Sequence, residues 1–311
     1  MLQKMKKRRR YFRQLSLLLF LVLVCLSLFV SCKKEPTGED VIEDDSNSSF
    51  SFIYMSDIQA DPEKGNYTAF GDILDLALSH ESNPVLLILG GDNVNKGSSK
   101  EEWELFHGAA GNRLDNLIVA SVVGNHDNNE LIKEQFNYPS KDDNFSYSFT
   151  NDNTLFLMLD SNIMGAGKEA DVNWLKEELS NNSSRWRIAV CHHPFHTISN
   201  IPKDIERSET MRKVFLPVLE DSGVDLILCG HQHVYARTSP MIGSTINDSG
   251  IVQLMAASGG KESYTPSDKE YIEITVEAPN YLIVEITDSI MKVSAYNSKG
   301  EVIDSIEIKN R

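Results

Sequence analysis

Five apolar runs in this chain each stop at a polar cluster, and that pattern constrains the fold more than any other feature. Phe50–Tyr54 leads to Ser56-Asp57, and Val85–Leu89 to Gly90-Gly91-Asp92. Leu117–Val123 leads to Gly124-Asn125-His126-Asp127, Ile188–Cys191 to His192-His193-Pro194, and Val224–Cys229 to Gly230-His231-Gln232-His233. None of the runs alternates with polar residues, so each reads as a strand buried on both faces. Segments with apolar residues at helical spacing lie between them: Thr68–Leu78, Glu101–Ala110, Glu169–Leu179 and Glu209–Glu220, the last with a kink expected at Pro217. Strand, helix, strand in succession predicts an α/β sheet. A further strand, Thr154–Leu159, leads to Asp160.

From Ile251 onward the pattern is strand after strand: Ile251–Ala257, Tyr271–Val276, Tyr281–Thr287, Ile290–Tyr296 and Val302–Ile308. Asn297-Ser298-Lys299-Gly300 fits a hairpin turn between the last two. No Pro/Gly-rich linker intervenes, so this part reads as the second sheet of the same domain, which spans 50–311. Hydrophobic residues make up 41% of the chain, enough for a sizeable core, which rules out wholesale disorder.

The polar clusters carry the chemistry. Ligands of open α/β sheets bind outside the carboxyl ends of the strands, and here those ends bear Asp57/Gln59, Asp92, Asn125/His126, His192/His193 and His231/His233. One polar strand ending is commonplace, but five built of oxygen and nitrogen donors point to metal. Mixed carboxylate and imidazole donors suit Zn, Mn or Fe and not calcium. Asp57, Gln59, Asp92, Asn125, His192, His231 and His233 are too many for one tetrahedral ion and suit two metals sharing a carboxylate. Such a pair polarises a phosphoryl oxygen and generates hydroxide at neutral pH. Taken singly, Asp57 and Asp92 read as helix N-caps; taken together with the others, they read as ligands. Of His192 and His193, one binds metal and the other packs behind it.

The ordered segments Asp57-Ile-Gln59, Gly91-Asp92-Asn93-Val94-Asn95-Lys96-Gly97, Gly124-Asn125-His126-Asp127, His192-His193-Pro194 and Gly230-His231-Gln232-His233 resemble the five motifs of calcineurin-like metallophosphoesterases. The continuation GHQHVYARTSP, AASGG and AYNSKGEVIDSIEI resembles a bacterial, purple-acid-phosphatase-like branch. That resemblance implies a four-layer α/β/β/α sandwich, two mixed sheets flanked by helices, with a dinuclear site at strand C-terminal ends. It implies Asp57, His233 and Gln59 on the first metal, Asp92 bridging, and Asn125, His192 and His231 on the second. It makes His126 the proton donor to the leaving oxygen, oriented by Asn95, with Asp127 a further catalytic residue. The implied activity is hydrolysis of a phosphoric ester on a small phosphorylated substrate. A lipoprotein that keeps the fold for ligand binding is the competing reading, and Gln59 favours it: many members carry His there, and an amide is a weaker donor. Purple acid phosphatases hold iron with a Tyr three residues after the bridging Asp. Asn95 stands at that position, which predicts no tyrosinate charge transfer and no purple colour.

Residues 1–31 hold seven basic residues and no acidic one; the remaining 280 carry 23 basic against 45 acidic, a net −22. So acidic a surface repels polyphosphate backbones, and general nucleic-acid binding is not expected. The basic stretch precedes the apolar run Leu15–Val30 and then Ser31-Cys32, the layout of a secretory signal. The run has 16 residues, against about 20 for a membrane span. The segment resembles a bacterial lipoprotein signal, cleaved before Cys32, which would carry the lipid and anchor the protein to the cell envelope, facing periplasm or exterior. Residues 32–49 read as a flexible acidic tether, roughly 55 Å long when extended. Several residues near the motifs carry blander expectations. Cys191 and Cys229 end apolar runs and read as buried thiols. His80 and His107 read as surface or packing residues, His196 as an exposed loop residue, Ser258-Gly259-Gly260 as a turn, and Arg237 as bonded to a neighbouring loop.

Overall fold

The computed structural model describes residues 49–60, 67–81, 83–127, 130–136, 138, 145–162 and 168–310. The expected signal and nearly all of the expected tether lie outside the described residues. In chain order the elements are β1 (Phe50–Met55), α1 (Thr68–His80), β2 (Leu86–Leu89), α2 (Lys100–Ala110), a 3-10 turn (Gly111–Leu114), β3 (Ile118–Ser121), α3 (Leu131–Gln135), β4 (Tyr147–Asn151) and β5 (Thr154–Leu159). Then follow α4 (Lys168–Asn181), β6 (Trp186–Cys191), α5 (Pro202–Val214), α6 (Leu216–Asp221), β7 (Leu226–Cys229), β8 (Val234–Thr238), β9 (Met241–Ile242) and β10 (Thr245–Ile246). The chain closes with β11 (Val252–Met255), β12 (Ile272–Glu277), β13 (Asn280–Ile286), β14 (Ile290–Asn297) and β15 (Val302–Lys309). Among the described residues no helix is long and apolar enough to cross a membrane.

Two mixed sheets dominate, in the orders β15-β14-β13-β1-β2-β3 and β12-β8-β11-β7-β6-β5-β4. Within them β1, β2 and β3 run parallel, as do β5, β6, β7 and β11. Alternate residues of each strand serve two different cores, which is why the runs are apolar without a polar interleaf. Phe52, Tyr54, Leu86 and Ile88 face Phe156, Met158, Ile188, Val190 and Leu228 between the sheets. Ile53, Met55, Leu87 and Leu89 face outward onto Phe70, Ile73, Leu74, Trp103 and Phe106 of α1 and α2. On the other side Leu155, Leu157, Ala189 and Ile227 meet Leu175, Leu179, Met211 and Leu219 of α4, α5 and α6. The layers therefore run helix, sheet, sheet, helix, as expected.

Two expectations need correction. The strands beyond Ile251 do not form a sheet of their own: β11 and β12 join one sheet, while β13 pairs antiparallel with β1 and brings β14 and β15 into the other. An apolar strand pattern does not name its neighbour, so periodicity carries no signal for that division. The helix expected over Glu209–Glu220 begins at Pro202 and breaks at Phe215, and Pro217 stands in the first turn of α6, where its missing N–H costs nothing. The edge strand β4 went unforeseen because its residues are half exposed and polar in part. The Asn297–Gly300 hairpin turn is present, with Gly300 N bonded to Asn297 O at 3.0 Å and Gly300 at φ 77°.

Candidate metal centre

The parallel strands end at one rim, and the five polar clusters meet there. Asp57, Asp92, His231 and His233 are non-glycine residues with φ of 52°, 54°, 74° and 51°. Left-handed backbone costs such residues on the order of 1–3 kcal/mol each and collects at functional sites. All four stand just past the ends of β1, β2 and β7, where the polar clusters draw together. Two glycines make the same approach possible. A Cβ on Gly124 would lie 2.1 Å from Asp92 Oδ1, and one on Gly230 would lie 2.3 Å from Asp57 Oδ2.

The donor atoms converge. Asp57, Asp92 and His192 each offer one ligand atom within 4.8 Å of the other two, as do His192, His193 and His231. His192 Nε2 lies 3.2 Å from Asp92 Oδ2 and 3.2 Å from Asn125 Oδ1. His233 Nε2 lies 3.6 Å from Asp57 Oδ1. Both rings are held from behind: His192 Nδ1 meets the Gly90 carbonyl at 2.9 Å, and His233 Nδ1 meets that of Glu262 at 2.8 Å. A carbonyl accepts from Nδ1–H, which leaves the Nε2 lone pair facing the carboxylates. His231 is held through Nε2, 3.3 Å from Asp204 Oδ1, so its Nδ1 is the atom left for a ligand role. Asp57 also accepts the Ser56 hydroxyl at 2.8 Å and the His231 N–H at 2.9 Å, and Asp92 accepts the His126 N–H at 2.8 Å. Neither carboxylate caps a helix; α2 is capped by Ser99.

Electrostatics agree with a cation site. Burial pushes the Asp57 carboxyl up, against the pull of His192 and His233. Burial acts on Asp92 too, but the His192 ring and the His126 N–H outweigh it and hold the group down to about 2. His192 is disfavoured as a cation by burial, yet Asp92 beside it raises it to about 9. Two carboxylates this deeply buried demand a positive charge beside them. Gln59 shows the same demand. Its Nε2 donates to Asp92 Oδ2 at 3.0 Å and lies 3.4 Å from His233 Nε2, while its Oε1 is buried with no hydrogen-bond partner among the described residues. A buried orphan oxygen beside paired carboxylates fits a metal donor set.

Asn125 and His126 are exposed at the mouth. His126 Nδ1 lies 2.7 Å from an oxygen of Asn95, and that oxygen is the backbone carbonyl, so the contact runs through the main chain and not the side chain. Asp127 departs further from expectation. It is fully buried, and its carboxylate accepts from Asn93 N (2.9 Å), Asn93 Nδ2 (3.0 Å), Val94 N (3.1 Å) and Gly124 N (3.3 Å). With those lone pairs engaged it ties the Asp92 loop to the Asn125 loop and offers nothing to a substrate. Burial first, and then Asp92, push it up to about 7. His193 packs behind His192, its Nδ1 on Ser161 Oγ at 2.8 Å and its Nε2 against Arg207.

Other residues settle away from the site or were missed. Arg237 of β8 pairs with Asp304 of β15 at 2.6 Å, joining the two sheets. Cys191 and Cys229 are free buried thiols, and His80 packs on Tyr281 and Tyr296. His196 is buried and not exposed. Asp204, Ser161, Lys261, Glu262 and Tyr264 surround the cluster, and no sequence motif marks them. Asp204 lies in the first turn of α5, 27 residues from His231 in the chain, and no local pattern joins them.

A family model described as calcineurin-like phosphoesterase matches residues 50–235. Purple acid phosphatase 3 of Arabidopsis thaliana is 27% identical over 139 residues, which is 42% of this chain and 35% of that protein. A probable cyclic nucleotide phosphodiesterase of Moraxella catarrhalis is 26% identical over 213 residues, 63% of this chain and 76% of that one. This chain thus spans about a third of the length of the plant relatives it matches. The purple acid phosphatase PPD1 of yellow lupin (Lupinus luteus) has the same fold at 15% identity, with a TM-score of 0.73 over 84% of this chain and 54% of that one.

Proposed function

The chain belongs to the calcineurin-like phosphoesterase family, broadly similar to the purple acid phosphatases, and from that premise we propose that it hydrolyses the phosphoric ester of a small substrate. The proposed donor set is Asp57, Gln59 and His233 for one metal, Asn125, His192 and His231 for a second, and Asp92 between them. Iron, zinc or manganese suits such donors. When bound, the metals supply Lewis-acid activation of the phosphoryl group and of the attacking water.

The chain's own residues do the rest. Gly90 and Glu262 carbonyls keep the two Nε2 atoms turned inward, and Asp204 leaves His231 its Nδ1. His126 stands at the open mouth, with Nδ1 held by the Asn95 carbonyl and Nε2 presented to substrate. Its protonated ring gives a proton to the departing ester oxygen, which a poor leaving group requires. The observation that carries the reading is the convergence of Asp57, Asp92 and His192 on one buried point with their ring and carboxylate atoms already oriented. The test is metal analysis of the purified protein together with release of p-nitrophenol from its mono- and bis-esters. About two metals per chain and turnover lost in Asp92→Ala support the reading. A metal-loaded protein inactive on both esters would favour a binding role instead.

The proposal extends to placement. Residues 1–31 are a lipoprotein signal, Cys32 carries the lipid, 32–49 form a tether and 50–311 form one catalytic domain on the outer side of a cell-envelope membrane. The basic and then apolar order of residues 4–30, followed by Ser31-Cys32, supports this. Labelling with a fatty-acid analogue, abolished by Cys32→Ala, tests it.

A further inference from the structure

The segment Ser258–Tyr264 packs against the site. Ser258 N donates to the Ser56 carbonyl at 2.7 Å, and a Cβ on Gly259 would lie 2.2 Å from the Asp57 carbonyl. Glu262 O holds His233, and the Tyr264 ring lies 5.5 Å from that of His233 and 5.9 Å from that of His231. Between these anchors Lys261 extends to Asn95, where Nζ donates to Oδ1 at 2.6 Å across 166 residues of chain.

Asn95 does two separate things. Its backbone carbonyl receives His126 Nδ1 at 2.7 Å, while its side-chain oxygen receives Lys261. On the inner side the same loop is tied down by Glu102, whose Oε2 accepts Asn95 N at 2.8 Å and Lys96 N at 3.0 Å. Any residue could supply the carbonyl, whereas the amide at position 95 is what receives the lysine. The entropy lost in ordering a long lysine side chain offsets much of what its charged hydrogen bond returns. The contact is therefore close to neutral for stability, and its consequence lies in what it holds.

We propose that Lys261 is a positioning residue for His126: by holding the Asn95 side chain from outside, as Glu102 holds its backbone from inside, it fixes the carbonyl that sets the ring's tautomer and direction. The proposal rests on the reading of His126 as proton donor. Loss of Lys261 therefore harms protonation of the leaving oxygen and not substrate binding.

The test uses the zinc-loaded protein, whose metal is diamagnetic. Nitrogen-15 NMR reads the His126 tautomer, with the signal assigned by its absence in His126→Asn. The wild type should show the Nδ1–H form, and Lys261→Met a mixture, with Lys261→Arg restoring the first. In kinetics Lys261→Met should lower kcat about tenfold or more for an alkyl phosphate ester and under about threefold for the p-nitrophenyl ester, with KM unchanged, since general acid help matters most for poor leaving groups. Asn95→Ala should match it, and the double variant should lose no more, as residues acting through one contact do. An unchanged tautomer in Lys261→Met overturns the proposal. So does an equal loss on all esters carried by KM, which would put Lys261 on the substrate. A wild type inactive with every metal would count against the hydrolase reading, while the tautomer measurement still decides the role of Lys261.

Discussion

Asp127→Asn separates a structural carboxylate from a catalytic one. The Asp127 Oδ1 accepts Asn93 N at 2.9 Å and Val94 N at 3.1 Å; Oδ2 accepts Asn93 Nδ2 at 3.0 Å, Asn93 N at 3.1 Å and Gly124 N at 3.3 Å. An asparagine puts an NH2 at one of these positions. Whichever way it turns, that NH2 faces at least two N–H groups that had been donating. The side chain is buried, so water cannot replace the lost acceptor. Asn93 N can keep the other oxygen, so at least one buried donor is left unpaired, and the loss comes to at least about 1–3 kcal/mol. For a domain of this size 1 kcal/mol moves Tm by about 2–4 °C, so the variant should melt at least about 2 °C below wild type. The assay is a thermal melt paired with kcat/KM measured well below both transitions. There the variant should keep most of its activity, because the residue touches neither substrate nor His126. A wild-type melting curve with turnover reduced a hundredfold would refute the reasoning and return Asp127 to the chemistry.

Gly230→Ala should place a Cβ 2.0 Å from Ser56 Oγ and 2.3 Å from Asp57 Oδ2; elemental analysis should find metal content falling toward one per chain, with the fold kept by circular dichroism. Asp304, in contact with Arg237 Nε at 2.6 Å and the Tyr235 hydroxyl at 2.7 Å, is raised by burial but held below the ordinary carboxylate range by those two partners. A depressed folded value means that its stabilising share is full above the unfolded value of about 4 and is lost as pH falls through the folded one. Urea midpoints should thus drop more for wild type than for Asp304→Asn on going from pH 5 to pH 3; parallel drops would refute the sheet-to-sheet tie. Iron loading should give no purple band in the visible spectrum, since Asn95 stands where the tyrosinate would be.

The residues that gather at the site were legible in the sequence because each sits at the end of an apolar run, and parallel strands carry such ends to one rim. Asp57, Asp92, Asn125, His192, His231 and His233 all meet there, and the helices α1, α2 and α4 fall within a few residues of their periodic segments. The direction of Asp127 is not legible, because a motif gives the residue and not where it points: it follows His126 in the chain yet points into the loop. Lys261 and Asp204 were not legible at all. They act on residues 166 and 27 positions away, and neither carries a pattern of its own.

By itself the sequence determined which side chains can bind metal and the order in which strands deliver them, because burial on two faces and polar strand ends are written locally. Only the tertiary structure decided which nitrogen of each imidazole faces inward, which carboxylate serves a loop, and which sheet the last strands enter. Those outcomes depend on hydrogen-bond partners brought from distant stretches of chain by packing, and short-range periodicity holds no record of them.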